Sequence, residues 1–329
     1  MPRNSESGCT RANAIVLLLG IVFAVAPFAY SEKSSSDQVV RVGCQKYGTL
    51  VLLKARGTLE KHLAKNHVEV QWTEFPAGPQ LLEGLNVGSI DFGSVGEAPP
   101  IFAQAAGADI VYVGYEPQAS AAEALIVPKS SPVRNLTDLR GKKIALNKGS
   151  NVHYLLVKLL EKAGLKYEDI EPVYLAPADA RAAFERGSVD AWVIWEPFLA
   201  AAQNQTGARI VRDGEGLVSN HQFFLASRIY AQKRPDVISI ILTELAAVDE
   251  WAKSHLSDAA TALQPQVGLD HATLLLALSR GGYGVGPVTD TVLSEQQQIA
   301  DAFYNLRLIP KHINVRDATL GNLQAQAGH

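Results

Sequence analysis

The sequence has few cysteines, little excess charge and no long apolar segment. Its 329 residues contain two cysteines, and 30 basic against 33 acidic residues give a formal net charge of -3. A nucleic-acid partner needs a basic face that displaces counterions, so polyanion binding is not expected. No segment after the N-terminus approaches the roughly 20 apolar residues of a membrane-spanning helix. The 47% hydrophobic content suffices for two domains with buried cores.

Sequence motifs of metal binding and of common catalytic sites are also missing. There is no His-Glu-x-x-His, Cys-x-x-Cys or Walker phosphate loop. The segment Gly93-Ser94-Val95-Gly96 differs from the nucleophile elbow Gly-x-Ser-x-Gly, because its serine directly follows the glycine. We therefore predict that the protein is not an enzyme and that it holds no metal and no cofactor.

The N-terminus has the pattern of an export signal. Arg3 and Arg11 precede an uncharged apolar run, residues 14–26, and polar residues resume at Ser31. The run is too short to span a bilayer comfortably. We predict that residues 1–30 are a signal peptide, cleaved between the end of this run and Ser31, and that the mature protein is soluble and periplasmic.

Beyond the signal, short β-branched runs alternate with longer helical patterns, which is typical of an α/β chain with mostly parallel sheets. The predicted strands are residues 39–44, 68–73, 91–93, 110–114, 143–146, 172–174, 191–194 and 209–211. The predicted helices are residues 49–65, 78–86, 99–106, 151–163, 178–186 and 197–204. Cys44 and Trp192, which lie within predicted strands, are expected to be buried in the core.

Two similar segments suggest two similar lobes. Residues 82–91 and 182–190 both end in Gly-Ser-(Ile/Val)-Asp, a helix stopped by glycine before an aspartate that opens a strand. Coincidence of a common helix-to-strand turn is the alternative. Two extended segments, 122–128 and 222–227, are predicted to cross between the lobes. The predicted lobes are residues 37–122 plus 226–329 for lobe one and residues 123–225 for lobe two.

Four strand-to-helix junctions are candidates for an anion site. In open α/β sheets ligands bind beyond the carboxyl ends of strands, where the next helix presents unpaired amides and the positive end of its dipole. Glycines let the backbone approach an anion, and Thr49, Ser94 and Ser150 would add hydroxyl donors. A turn of this kind is also a common helix cap, which is the alternative for each. The four junctions are residues 45–49, 93–97, 147–151 and 195–197.

Aromatic and acidic side chains complete the candidate site. Trp195 falls at the exit of its strand and is expected to contact the carbon portion of a ligand. Glu196 could meet a ligand ammonium or begin the following helix, and the helix start is favoured. The candidate ligand-binding residues are Gln45, Gly48, Thr49, Ser94, Glu97, Glu123, Asn147, Gly149, Ser150, Asn151, Trp195 and Glu196.

Four segments of the sequence resemble the aliphatic sulfonate-binding proteins of ABC importers. They are QKYGTLVLLK from Gln45, EFPAGPQLLEGLNVGSIDFG from Glu74, ALNKGSNVHYLL from Ala145 and ADARAAFERGSVDAWVIWEP from Ala178. Weaker similarity extends to proteins that bind nitrate, taurine and thiamine precursors. The resemblance spans about residues 39–228 and is thinner in the C-terminal helices.

The resemblance implies a class II periplasmic-binding-protein fold, with two α/β lobes joined by a two-strand hinge and a ligand cleft between them. It also implies an aliphatic sulfonate as ligand, taken up for its sulfur, and a permease and ATPase as membrane partners. The oligomeric state is open, with a monomer as the default expectation. Open alternatives are a taurine- or nitrate-binding protein of the same fold, a sensor domain, and an enzyme similar to pyrimidine-precursor synthases.

Overall fold

The computed structural model describes residues 38–321, so the predicted signal peptide lies outside the described residues. The strands are β1 (Val39–Cys44), β2 (Glu69–Glu74), β3 (Phe92–Gly96), β4 (Ile110–Glu116), β5 (Glu123–Val127), β6 (Lys143–Leu146), β7 (Glu171–Tyr174), β8 (Ala191–Trp195), β9 (Arg209–Asp213) and β10 (Gln222–Ser227). The helices are α1 (Thr49–Arg56), α2 (Thr58–Ala64), α3 (Gly78–Asn86), α4 (Pro99–Ala105), α5 (Asn151–Ala163), α6 (Pro177–Glu185), α7 (Phe198–Thr206), α8 (Arg228–Lys233), α9 (Pro235–Ser254), α10 (Leu256–Val267), α11 (His271–Ser279) and α12 (Asp290–Asn305). In this part of the chain, no helix combines the length and the apolar character that a bilayer crossing requires.

The strands form two five-stranded sheets with the same topology. Their strand orders are β2-β1-β3-β10-β4 and β7-β6-β8-β5-β9. In each sheet one strand, β10 or β5, is antiparallel to both of its neighbours, and the other pairings are parallel. The predicted α/β fold with two similar lobes is therefore confirmed.

The hydrogen bonds of the two similar segments explain why they share a sequence. Asp91 donates its backbone N–H to the carbonyl of Arg41 at 2.7 Å, and its carboxylate accepts from the amide of Arg41 at 2.9 Å. Asp190 makes the same pair of bonds with Lys143, both at 2.8 Å. The glycines three residues before these aspartates have φ of 71° and 68°, a left-handed conformation that ends each helix. Each segment thus ties a helix end to the neighbouring strand.

The chain passes between the two sheets in two segments that we call the hinge, residues 117–122 and 214–221. The predicted crossing strands themselves stay within single sheets, since β5 pairs with β8 and β9, and β10 pairs with β3 and β4. A backbone hydrogen bond of 3.0 Å from Ala119 to Ser219 joins the two hinge segments. The crossing points therefore lie just before the strands that the sequence indicated.

Separate helix layers cover the faces of both sheets. Helices α1, α9 and α10 pack over one face of the first sheet, with Leu53, Val42 and Phe92 in their shared core, and α3 and α4 cover the other face. In the second sheet α5 covers one face, while α6 and α7 pack against the other, around Trp192. Cys44 and Trp192 are 2% and 1% exposed, which confirms that both are core residues.

One predicted helix is two helices in the structure. The sequence predicts a helix over residues 49–65, but the chain breaks at Gly57, which has φ of 62° and serves as the end of α1 and the start of α2. Helical periodicity continues across this break, because Leu53, Leu59 and Leu63 are all buried. The single-helix prediction was wrong because apolar spacing does not report a left-handed residue.

Candidate ligand-binding site

A cavity lies where the two lobes and the hinge meet. Its volume is about 160 Å³. Because one water needs about 10–15 Å³ by this kind of measure, the cavity has room for a small organic ligand. Its wall is formed by the start of α1, the start of α5, the end of β8, the hinge, and the turn after α11.

Seven of the twelve predicted site residues line this cavity, and both lobes contribute to them. They are Gln45, Gly48, Thr49, Ser150, Asn151, Trp195 and Glu196. The structure places the other five, Ser94, Glu97, Glu123, Asn147 and Gly149, outside the lining.

The five residues outside the lining lie within a strand, form hydrogen bonds away from the cavity, or are buried behind its wall. Ser94 is inside β3, because that strand continues to Gly96 and does not end at Gly93 as predicted. The Asn147 side-chain amide donates to the carbonyl of Leu175 at 3.4 Å. Gly149 donates its amide to His153 Nδ1 at 3.2 Å. Glu97 and Glu123 are 1% and 0% exposed, behind the cavity wall.

Two helix N-termini open toward the cavity without a side-chain cap. Gly48 and Ser150 occupy the cap positions of α1 and α5, and neither helix has a capping side-chain hydrogen bond. Among the described residues, the first amides of α1 and α5 have no hydrogen-bond acceptor. Because these ends are also the positive ends of the helix dipoles, they favour a bound anion.

Two of the three predicted hydroxyl donors are already committed within the protein. Thr49 Oγ1 donates to Asp249 Oδ1 at 3.2 Å, and Ser150 Oγ donates to the carbonyl of Asn147 at 2.7 Å. A hydroxyl has one hydrogen, so neither group offers a second donor to a ligand while these bonds persist. The backbone amides are therefore the donors that these two turns present to the cavity.

Aromatic side chains supply an apolar part of the wall. Trp195 packs edge-on against Phe198 with ring centroids 6.5 Å apart, and both line the cavity. Tyr47 and Tyr283 line it from the first lobe. The Tyr283 hydroxyl donates to the carbonyl of Leu278 at 2.7 Å, so its ring is held in place. These rings offer a surface for the carbon portion of a ligand.

An ion pair joins the two lobes beside the cavity. Arg280, in the turn after α11, pairs with Glu196 Oε1 at 2.5 Å and donates to Gln203 Oε1 at 2.7 Å. The other oxygen of Glu196 accepts from the amide of Ala200 at 3.0 Å and so begins α7. Glu196 thus makes the favoured helix-start contact and also an interlobe contact that the sequence did not suggest.

Asn151 makes a second contact between the lobes. Its Oδ1 accepts from the amide of Ala98 at 3.2 Å, and its Nδ2 donates to Asn220 of the hinge. It is 9% exposed. The first residue of α5 therefore holds the second lobe against both the first lobe and the hinge.

Several residues of the wall were not indicated by the sequence. Glu116 ends β4, Asn220 lies in the hinge, and Tyr283 follows α11. The sequence indicated no site residue in the C-terminal region, which follows β10. The signal available there was the glycine-rich run Gly281-Gly282-Tyr283-Gly284, which interrupts the helical pattern.

Known proteins resemble this chain over most of its length. Residues 62–252 match the family described as "NMT1/THI5 like". The chain is 45% identical over 306 residues to the "Putative aliphatic sulfonates-binding protein" of Escherichia coli (strain K12), covering 92% of this chain and 95% of the relative. Both similarities include the segments that line the cavity in the second lobe.

Two solved structures share the fold. The alkanesulfonate-binding protein SsuA from Xanthomonas axonopodis pv. citri, bound to MOPS, has a TM-score of 0.83 at 43% identity, covering 86% of this chain and 98% of that one. The periplasmic aliphatic sulphonate binding protein SsuA from Escherichia coli has a TM-score of 0.78 at 45% identity, covering 86% and 92%. They confirm the expected fold of a periplasmic binding protein. By sequence and by fold, the chain belongs to the NMT1/THI5-like family, alongside these sulfonate-binding proteins.

Proposed function

We propose that this chain is an extracytoplasmic solute-binding protein that captures an aliphatic sulfonate for an ABC importer. The observation that carries the proposal is a cavity between two lobes with two uncapped helix N-termini in its wall. It is supported by the relatives, which are described as binding proteins for aliphatic sulfonates. The periplasm is the compartment proposed for it, and a permease with its ATPase the proposed partners.

Neutral donors are sufficient for such a ligand. A sulfonate is ionised at all ordinary pH values, so the site needs hydrogen-bond donors and no proton acceptor. A hydrogen bond to a charged group contributes about 1.5–3 kcal/mol, so three or four of them supply roughly 5–12 kcal/mol, against about 8 kcal/mol for micromolar affinity. The amides at the starts of α1 and α5 are the proposed donors, and Gln45 and Asn151 are proposed to add side-chain amides.

Ligand capture is proposed to work by closure of the two lobes. The donors of α1 belong to the first lobe and those of α5 to the second, so a bound anion interacts fully only when the lobes meet. The proposed lobes are residues 37–122 plus 226–329 and residues 123–225. The membrane partner then distinguishes the closed form from the open form.

Calorimetric titration of the purified protein tests the proposal. We expect ethane-, propane- and butanesulfonate to bind, and nitrate, sulfate and phosphate to bind more weakly. Trp195→Ala should weaken butanesulfonate binding about tenfold, since the ring contacts the alkyl chain. The matched control is Trp251→Ala, because Trp251 does not line the cavity and its ring packs under the guanidinium of Arg56, whose Cζ lies 3.9 Å from the ring centroid. Binding of nitrate alone, or of no organosulfonate, would refute the proposal.

A further inference from the structure

A buried carboxyl group lies in the wall of the cavity proposed to hold an anion. Glu116 ends β4, lines the cavity and is 8% exposed. Its Oε1 has no hydrogen-bond partner within the described chain. Leaving a buried polar atom without a partner costs free energy, so this oxygen favours a ligand that can form a hydrogen bond with it.

A second carboxyl group lies beside Glu116. Asp249 of α9 is completely buried, and it accepts hydrogen bonds from Thr49 Oγ1 at 3.2 Å and from the amide of Gly284. Thr49, which is the first residue of α1, also interacts with Glu116. The two carboxyl groups therefore lie next to the helix N-terminus that is proposed to hold the sulfonate.

The strand and the aromatic side chains that surround Glu116 bring no positive charge to its carboxyl group. His221 of β10's preceding hinge segment meets only its backbone, since His221 Nδ1 lies 3.1 Å from the carbonyl of Glu116, and His221 Nε2 contacts Glu295. Tyr47 and Tyr283 also interact with Glu116, and both stay neutral because burial raises the pKa of each.

The nearby cations are engaged elsewhere or exposed to water. Arg280 pairs with Glu196. Lys46 is the basic residue of the described chain that lines the cavity; it is exposed and forms no ion pair with Glu116. Besides burial, which raises its pKa, Asp249 meets Glu250 and Lys253, whose charges act on it in opposite directions. Within the described chain, no cation therefore neutralises an ionised Glu116.

The protonation state of Glu116 decides whether it opposes or assists an anion. Burial, followed by the charge of Asp249, raises the pKa of Glu116, and an interaction with Thr49 opposes this shift. An ionised carboxylate would repel an anion in the same cavity and could donate no hydrogen bond. A protonated carboxyl group carries an O–H donor and no charge. Only the protonated form is compatible with an anionic ligand at this wall.

We propose that Glu116 binds the anion as a neutral carboxylic acid that donates a hydrogen bond to the sulfonate, so that ligand binding is coupled to the binding of one proton. This inference rests on the proposed function, because it places the sulfonate at the amides of α1. At low pH the free site already holds the proton, and the affinity is constant. At higher pH the free site loses it, and binding must take a proton back from solvent. The affinity then falls by up to about tenfold per pH unit.

Calorimetric titration with propane-1-sulfonate between pH 6 and pH 9.5 tests the inference. We expect the Kd of the unmodified protein to be at least about tenfold higher at pH 9.5 than at pH 6. Measurements at pH 9.5 in two buffers of different ionisation enthalpy should show uptake of up to about one proton per ligand. Glu116→Gln should show less than about a threefold change over this range, because an amide donates without titrating. The matched control is Glu83→Gln, an exposed glutamate on α3, which should keep the pH dependence.

The outcomes separate this inference from the proposed function. If the unmodified protein binds equally well at both pH values, or if Glu116→Gln keeps the same pH dependence, Glu116 is not the protonated donor, while sulfonate binding stands. If no sulfonate binds at any pH, the proposed function itself is wrong. If Glu116→Gln does not fold, proton uptake by the unmodified protein decides: binding at pH 9.5 without uptake overturns the inference.

Discussion

Two glutamates behind the cavity wall are buried without full hydrogen bonding. Glu97 Oε2 accepts from the amide of His221 at 3.0 Å, while its Oε1 and both oxygens of Glu123 have no partner within the described chain. Burial, opposed by backbone hydrogen bonds from His221 and Asn220, raises the pKa of Glu97 to about 8. The pKa of Glu123 is also raised, by burial and by the nearby Glu97. Glu97 is therefore mostly protonated, and so neutral, in the folded protein at pH 7, and the upward shift favours the neutral form of Glu123 as well.

We expect the stability of the protein to fall as the pH rises from about 4.5 to 8. In this range Glu97 loses its proton in the unfolded chain but keeps it in the folded protein. The free energy of unfolding therefore falls by up to about 1.4 kcal/mol per pH unit because of this group. Glu97→Gln should reduce the slope, because glutamine does not titrate and its oxygen can still accept from His221. Thermal unfolding at several pH values measures this effect. Equal slopes for both proteins would show that Glu97 is ionised in the folded state.

At the scale of single elements, local sequence determined several boundaries correctly. The predicted bounds of β1, β6, α3 and α5 agree with the structure at both ends. For α5 the reason is a strong apolar periodicity followed by Gly164, which ends the helix with φ of 65°. The predicted boundaries were wrong where a helix-ending glycine was not recognised, as at Gly57. They were also wrong where the length of a strand depends on its pairing, as in β3.

Gly57→Ala should destabilise the protein by about 1–2 kcal/mol, because alanine is strained in a left-handed conformation. A methyl group placed there would meet no atom within 4 Å, so the cost is that of the backbone alone. The control is Gly57→Asn, which should cost less because asparagine tolerates this conformation. Chemical denaturation measures both. If the two variants unfold alike, the chain between α1 and α2 does not require the left-handed geometry.

At the scale of the whole molecule, the ion pair between Arg280 and Glu196 joins the two lobes beside the cavity and so holds them in the closed arrangement. The two side chains are 17% and 3% exposed, so the pair is well shielded from water. Removing one partner of a buried ion pair leaves the other partner as an uncompensated charge, which costs about 3–5 kcal/mol. In an open arrangement Glu196 would regain water, so loss of Arg280 favours opening.

Arg280→Ala should therefore weaken ligand binding by about ten- to a hundredfold, because a smaller fraction of the protein is in the closed form. Small-angle scattering of the ligand-free variant should give a larger radius of gyration. Adding Glu196→Gln should recover much of the affinity, since glutamine carries no charge and keeps the bond to Ala200. The control is Arg316→Ala, which removes the exposed pair with Asp290. Unchanged affinity in Arg280→Ala would mean that the pair does not govern closure.

The sequence by itself determined the alternation of strands and helices, the two similar lobes, the burial of Cys44 and Trp192, and the junctions at residues 45–49 and 147–151. These follow from local patterns: apolar periodicity, glycines at helix ends, and an aspartate that opens a strand. The tertiary structure alone decided that Glu116, Arg280 and Tyr283 belong at the cavity, and that the hydroxyls of Thr49 and Ser150 are engaged within the protein. Such contacts join residues far apart in the chain, and their geometry depends on how the two lobes pack, which no local spacing encodes.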